Sequence, residues 1–186
     1  MIRPDLKLLC FSALLLICCS HLHAESEHHH GAHVHGEANL AIAMEGKTVE
    51  IEFQSPAINL LGFERSAQNS AELERVDHTK TTLMTTDQLF RFISSDCAAQ
   101  SVEVDMTAVL PQEIHEHHHE DHHDEHHGEI SSHYVFECKD IKALNTIDIV
   151  MFHQFPSLEQ INAVIVTETE QKAMTLVKQQ TLIPIQ

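Results

Sequence analysis

Histidines and carboxylates dominate one short segment of the chain. Between Glu113 and Glu129 (EIHEHHHEDHHDEHHGE), eight of the seventeen residues are histidine and seven are Asp or Glu. Imidazole nitrogen is a good ligand for zinc, copper and nickel, and carboxylate oxygens supplement it. We therefore predict that this segment, called the histidine tract below, binds divalent metal ions, with Zn²⁺ as the expected ion. Its candidate ligands are His115, His117, His118, His119, His122, His123, His126 and His127.

The number of histidines in the tract sets an expectation for its stoichiometry. Four ligands complete a tetrahedral zinc site, so we expect two or more ions in changing ligand sets. The lack of an apolar pattern predicts a long disordered loop, and such tracts still bind metal. A solvated spacer without metal and a sensor of pH are the two alternative interpretations.

A second group of histidines lies nearer the N-terminus. His33 and His35 form an H-x-H pair, and Gly36 after them permits a turn or a close backbone approach. Alternate residues of a strand point to one face, so the pair chelates one ion if the first strand begins early. A frayed terminus without fixed geometry is the alternative. Three further histidines are predicted to be auxiliary capture ligands: His28, His29 and His30.

The remaining histidines of the mature chain stand alone, at His78, His133 and His153. A lone histidine is more often a surface or core residue than a ligand, but His133 borders the strand that leaves the tract and is the best extra candidate. No catalytic triad, H-E-x-x-H motif, phosphate loop or basic patch is recognisable, which favours a binding protein over an enzyme. A zinc hydrolase with an open coordination position is the enzymatic alternative. Glu64 and Arg65 are interpreted as structural.

The N-terminal residues have the pattern of an export signal. Arg3 and Lys7 precede a twelve-residue apolar core, Leu8–Cys19, which is too short to span a bilayer. We predict a cleaved signal peptide over residues 1–24, with cleavage after Ser20 as an alternative and a lipid anchor on a cysteine of the segment as another. The expected location is the periplasm, and residues 25–186 are expected to form a single domain.

Charge limits the partners of that domain. Residues 25–186 contain nine basic and 27 acidic residues, which gives a formal charge of −18. Such a balance opposes binding to nucleic acid or to an anionic membrane surface and favours cations. No later apolar stretch is long enough to span a membrane.

Two cysteines remain in the mature chain, Cys97 and Cys138. In an exported protein, such a pair most simply forms one disulfide, which here closes a loop around the whole tract. A pair of thiolate zinc ligands is the alternative, although neither cysteine has a neighbour at the usual ligand spacing.

Hydrophobic periodicity places these residues on a fold. Residues alternate between apolar and polar in several segments, which predicts about seven strands. They are 37–44, 48–54, 102–106, 134–138, 147–151, 161–167 and 173–177, with a short edge segment at 182–185. Helices are predicted over 67–83, capped by Ser66 or Asn69, and over 86–93, with one helical turn at 140–144. The fold class is therefore α+β, with a mainly antiparallel sheet, two or three helices and the tract as an insertion at a sheet edge.

Several longer motifs resemble a known family. The segments HVHGEANLAIAMEGKTVEIEFQSPAINLLGFE, HYVFEC and MFHQFPSLEQINAVIVTETEQ, together with the tract, are similar to the zinc-regulated periplasmic zinc-binding proteins of the ZrgA family. The resemblance implies a periplasmic zinc-binding accessory of a zinc ABC importer, and it carries over His33, His35, the tract and Cys97 with Cys138. One departure is Arg65, where family members usually have histidine after G-F-E.

The residues and the resemblance predict one function. We expect an exported protein that captures Zn²⁺ and supports its import through an ABC transporter or that transporter's binding protein. Nickel or copper buffering is the alternative within metal binding, since ligand type alone does not exclude copper. An exported structural or interaction protein with an incidental tract is the alternative outside it.

Overall fold

The computed structural model describes residues 34–111 and 128–185. Within them, nine strands form two sheets, and two α-helices complete the fold. The strands are β1 Glu37–Glu45, β2 Thr48–Pro56, β3 Phe90–Ile93, β4 Cys97–Asp105, β5 Glu129–Cys138, β6 Thr146–Ile149, β7 Gln160–Val166, β8 Gln171–Val177 and β9 Leu182–Pro184. The helices are α1 Ala57–Leu61 and α2 Ser70–Met84.

The larger sheet has six strands in the order β4-β5-β2-β1-β7-β8. All neighbouring pairs are antiparallel except β1 and β7, which run parallel. The first two strands form a hairpin whose turn contains Gly46 at a φ of +58°, a conformation that favours glycine. The smaller sheet has the order β3-β6-β9. The fold is therefore mostly β, and its large sheet is mixed, with four antiparallel pairs and one parallel pair.

The core lies between the inner face of the large sheet and the elements that cover it. Alternate residues of β1 and β2, such as Leu40 and Ile51, are buried, while the residues between them are exposed. Phe90 of β3 packs edge-on against Tyr134 of β5, with ring centroids 5.0 Å apart. Helix α2 buries Val76 and Leu83. The other face of the large sheet is open to solvent.

Most predicted strands are confirmed, but two helical predictions are wrong. Residues 86–93 were expected to be a helix. They form a short 3-10 turn followed by β3, because Phe90–Ile93 pairs with β6. Residues 140–144 form hydrogen-bonded turns instead of a helix. The helix predicted over 67–83 is α2, and Asn69 is its cap: its side-chain oxygen accepts a hydrogen bond from the Glu72 N–H at 3.0 Å.

The predicted disulfide is present. Cys97 and Cys138 are paired residues of β4 and β5 and are joined through their sulfur atoms. Strand β4 is an edge strand of the large sheet, and residues 112–127, between β4 and β5 in sequence, lie outside the described residues. Of the predicted loop 113–129, Gly128 and Glu129 are described, and Glu129 is the first residue of β5. The predicted signal peptide, residues 1–24, lies outside the described residues.

Candidate metal centre

The turn that carries His35 is fixed to the folded domain. His35 and Gly36 form a turn just before β1, and Gly36 has a φ of +86°. The Gly36 carbonyl accepts hydrogen bonds from Glu159 N–H and Gln160 N–H, at 2.8 and 3.0 Å. This backbone conformation favours glycine, and a Cβ here would make a tight contact, 3.2 Å, with the Glu159 side chain. The start of the first strand is thus an ordered turn.

A buried asparagine of α1 is hydrogen-bonded to the same turn. The side-chain oxygen of Asn59 accepts a hydrogen bond from Gly36 N–H at 2.7 Å. Its side-chain nitrogen donates to the Glu37 carbonyl and to Ser55 Oγ, at 2.8 and 3.1 Å. Asn59 is 3% exposed, so these bonds form away from water, where losing a partner is costly. Helix α1 therefore positions the backbone directly after His35.

His35 lies against a carboxylate. Its Nε2 is 3.2 Å from Oε1 of Glu64. The His35 side chain is 63% exposed, whereas that of Glu64 is only 16% exposed. The imidazole is therefore accessible from solvent, and the carboxylate is the more buried member of the pair.

The segment around Glu64 is fixed by its neighbours. Gly62 ends α1 with a φ of +80°, and Arg75 of α2 donates to the Leu61 carbonyl at 2.9 Å. Arg65 points away from the pair: its guanidinium donates to both carboxylate oxygens of Glu72, at 2.9 and 2.7 Å. These bonds, with a further one from Gln68 N–H, lower the pKa of Glu72 to about 2. The cation next to Glu64 in sequence is therefore bound elsewhere.

Residues beside the histidine tract in sequence are hydrogen-bonded to the segment around Glu64. Gly128, which follows the last tract histidine, donates its N–H to the Glu64 carbonyl at 3.1 Å and accepts from Ala57 N–H at 2.7 Å. On the other side of the tract, the Val109 carbonyl accepts from Ala67 N–H at 2.8 Å. A Cβ built on Gly128 would lie 2.9 Å from Val109 Cγ1. Val109 and Gly128, described residues on the two sides of the tract, thus lie side by side, next to the residue that contacts His35.

His133 lies apart from this centre, on the open face of the large sheet. It pairs with Glu52 of β2 and Glu103 of β4, and its Nε2 is 4.0 Å from Oε2 of Glu50. Glu52, Glu103 and His133 help to line a groove of about 350 Å³. His78 and His153 are both exposed, on α2 and in a 3-10 turn.

Comparison with known protein families gives this geometry a context. The family model described as "ZrgA family zinc uptake protein" matches residues 32–185. The chain belongs to the ZrgA family. The match covers the turn of His35, the segment of Glu64, the tract and both cysteines. No curated protein matches the chain.

Zinc fits the donor set that this ZrgA-family chain brings together. Histidine nitrogen and carboxylate oxygen are both ordinary zinc ligands, and His35 and Glu64 supply one of each. Among the described residues, however, no group of three or more His, Cys, Asp or Glu is close enough to hold an ion. The other predicted ligands, His33, the auxiliary histidines 28–30 and all eight tract histidines, lie outside the described residues.

The sequence alone does not identify two residues of this centre, Glu64 and Asn59. Glu64 was interpreted as structural and Asn59 was not singled out, because both come from a short apolar segment without a recognisable motif. Helix α1, which positions them, has only five residues and shows no helical periodicity. The available signal was the polar Asn59 within the apolar run 57–61, since a buried polar side chain must find partners.

None of the helices in the described residues has the length and apolar character needed to cross a bilayer.

Proposed function

We propose that this protein is an exported zinc-binding protein that captures Zn²⁺ in the periplasm and supports its import through an ABC transporter. Membership of a family of zinc uptake proteins supports the zinc-related role. The export step rests on the signal pattern of residues 1–24, and the transporter partner rests on the family resemblance.

The observation that carries the proposal is the position of the tract. Val109, which precedes it, and Gly128, near its C-terminal end, are hydrogen-bonded to Ala67 and Glu64, and Glu64 contacts His35. Histidines that capture ions in the tract are therefore tethered next to a second, fixed group of ligands. Intramolecular transfer between them is favoured because the tether keeps the effective concentration high.

The two groups of ligands have different tasks in this proposal. The tract has many ligands and few structural constraints, so it captures several ions weakly, and each ion must order a flexible chain. His33 and His35 bind one ion more tightly because the backbone after them is already fixed by Asn59. Both steps are binding steps, and no catalytic chemistry is part of the proposal.

Metal titration of three variants tests it. Replacing residues 113–127 with a short Gly-Ser linker keeps Gly128 and its two hydrogen bonds. We expect this variant to retain its β-sheet circular dichroism and to bind fewer zinc ions than the intact protein. We expect His33→Ala/His35→Ala to lose the tightest ion. The exposed pair His78→Ala/His153→Ala is the matched control and should bind zinc as the intact protein does.

The outcomes separate the proposal from its rivals. Unchanged stoichiometry without residues 113–127 would show that the tract is a spacer. Metal analysis of protein purified from the periplasm without added metal distinguishes zinc from nickel or copper, which bind the same ligands. The role in import is tested by deleting the gene and measuring growth under zinc limitation. Normal growth of the deletion strain would contradict a role in zinc import.

A further inference from the structure

We propose that the open face of the large sheet is a docking surface for a basic amphipathic helix of a partner protein. The face combines an acidic half with an apolar half, and the two halves lie side by side across the six strands. The proposal goes beyond zinc binding and does not rest on it, because none of the histidines of the tract or of the N-terminal group takes part.

The register of the strands places the two halves in the same rows of side chains. One row crosses the whole sheet from β4 to β8 and consists of Glu103, His133, Glu52, Ala41, Val164 and Ala173. Residues of one row share a face of the sheet. In the next row, Ala43 of β1 lies between Glu50 of β2 and Val166 of β7. A partner that contacts one half is therefore in reach of the other.

The half formed by β4, β5 and β2 is acidic. Glu50, Glu52, Glu103 and Asp105 are exposed on it, and three of them line the groove beside His133. Within the described part of the chain, no Lys or Arg forms an ion pair with any of these four carboxylates. A lysine or arginine side chain of a partner can enter the groove and form charge-assisted hydrogen bonds there.

The half formed by β1, β7 and β8 is apolar at its centre. Val164 is 36% exposed and Val166 is 43% exposed, and Ala41, Ala43 and Ala173 around them are also exposed. The alanines are small, so the surface is flat and another element can approach the sheet closely. Burial of this area would stabilise a complex in proportion to the apolar surface removed from water.

The distance between the two halves fits the width of a helix. Neighbouring strands are about 4.8 Å apart, so β5 and β7, which are separated by β2 and β1, lie about 14 Å apart. An α-helix with its side chains is about 10–12 Å across. A helix that lies along β2 and β1 can therefore place apolar side chains over Val164 and Val166 and basic side chains over the carboxylates.

Charge distinguishes such a helix from other occupants of the face. The carboxylates repel nucleic acid and an anionic membrane surface, and a second copy of this chain would bring the same negative charges into contact. The described residues do not contain three donors close enough for a metal ion. A basic element of another protein complements both halves of the face.

Two synthetic peptides serve as probes of the docking surface. Each has about 18 residues, which as a helix matches the length of the nine-residue strand β1. The first carries leucines on one side and lysines on the adjacent side. The second has the same composition in scrambled order, so that neither side is formed. Fluorescence anisotropy measures the binding of each to the intact protein at low ionic strength, with EDTA present so that bound metal does not contribute.

Three double variants separate the two halves from the charge of the whole protein. Glu52→Gln/Glu103→Gln removes two carboxylates of the groove, and Val164→Thr/Val166→Thr makes the apolar half polar while keeping β-branched side chains. We expect each to weaken binding of the first peptide by about fivefold, the loss typical of two exposed contacts. The matched control is Glu74→Gln/Asp77→Asn on the exposed side of α2, which should leave the affinity unchanged.

The comparison of these variants supports or overturns the docking surface. Weaker binding in both face variants, with an unchanged control and little binding of the scrambled peptide, supports it. An equal loss in the control, or equal binding of the two peptides, would reduce the effect to the charge of the whole protein and overturn it. An unchanged affinity in the valine variant would overturn it as well.

Two further measurements complete the test. Thermal unfolding midpoints show whether a double variant disturbs the fold, in which case Glu103→Gln or Val166→Thr alone takes its place. Sedimentation of the intact protein examines the second copy as an occupant. A dimer that is lost in Val164→Thr/Val166→Thr would assign the face to self-association and overturn the proposal, whereas a monomer leaves the face free for a basic partner.

Discussion

Gly128 is the residue at which the histidine tract joins the folded domain. Its N–H and carbonyl are bonded to Glu64 and Ala57, and its Cα lies close to both the Glu64 carbonyl and Val109. A Cβ on Gly128 would lie 2.3 Å from that carbonyl oxygen, which no side chain tolerates without a shift of the backbone. The glycine therefore permits the close approach of this backbone to Glu64.

Replacing Gly128 with alanine should disturb the metal centre as well as the fold. We expect Gly128→Ala to lower the free energy of unfolding by about 2 kcal/mol, in the usual range for overpacking, and to weaken the tightest zinc site. Gly46→Ala is the control. It has a φ of +58° and open space around it, so it should cost only about 1 kcal/mol of backbone strain and leave zinc binding unchanged. Urea unfolding and zinc competition test both. Equal zinc affinities in the two variants would contradict the expectation.

At the level of single residues, a local motif identifies candidate ligands, whereas contacts between residues distant in sequence leave no local pattern. Gly36 was predicted to permit a turn, and the structure has one at a positive φ, which is a local property of glycine. The early first strand that would place both histidines on one face is not observed, because His35 lies in this turn and β1 begins at Glu37. The contact of His35 with Glu64 spans 29 residues and depends on how α1 packs, which no local pattern records. For the same reason, His133 was predicted as an additional ligand, but among the described residues it lies with Glu50 rather than with His35.

At the level of elements, period-two alternation was a reliable guide and helical spacing was not. Strands β1 and β2 were predicted within two residues of their observed ends, because each buries every second residue. Residues 86–93 have apolar positions compatible with a helix, but pairing with β6 prevails over the local pattern. Helix α1 is too short to show periodicity at all. The helical content was thus overestimated in one place and overlooked in another.

The start of α2 has an electrostatic feature that can be tested with pH. Arg65 and Gln68 lower the pKa of Glu72 from 4.5 to about 2. Because the pKa in the folded state is below the ordinary value, the ionised carboxylate stabilises the fold above about pH 4.5, and this contribution is lost as the pH falls towards 2. We expect Glu72→Gln to be less stable than the parent protein at pH 6, with a difference that shrinks steadily below pH 4.5.

Thermal or urea unfolding across this pH range measures the effect. Glu74→Gln is the control, because Glu74 is an exposed residue of the same helix. Its difference from the parent should stay small at every pH. A Glu72→Gln difference that is independent of pH would mean that the ion pair with Arg65 contributes nothing to stability.

At the level of the whole molecule, the candidate metal centre and the disulfide lie at opposite ends of strand β5. Strand β5 runs from Glu129, beside the metal centre, to Cys138, beside the β1–β2 turn, where its N–H donates to the Lys47 carbonyl at 2.9 Å. At about 3.3 Å per residue, the ten residues of β5 place the disulfide about 30 Å from the base of the tract. The loop that contains the tract is therefore closed twice, covalently at one end and by hydrogen bonds at the other.

This separation predicts that the disulfide affects stability and not zinc binding. Cys97 and Cys138 are 41 residues apart, and a crosslink over such a loop stabilises the folded state by about 4 kcal/mol in the chain-entropy treatment. We expect Cys97→Ala/Cys138→Ala to lose stability of this order, and somewhat more because Cys138 is buried. The number of zinc ions bound and the affinity of the tightest one should remain those of the parent, because the sulfur atoms lie at the far end of the sheet. Urea unfolding and zinc titration of the folded variant test the two halves of the prediction, with the reduced parent protein as a second comparison. Loss of one zinc ion in the variant, with stability unchanged, would instead identify the two cysteines as thiolate ligands.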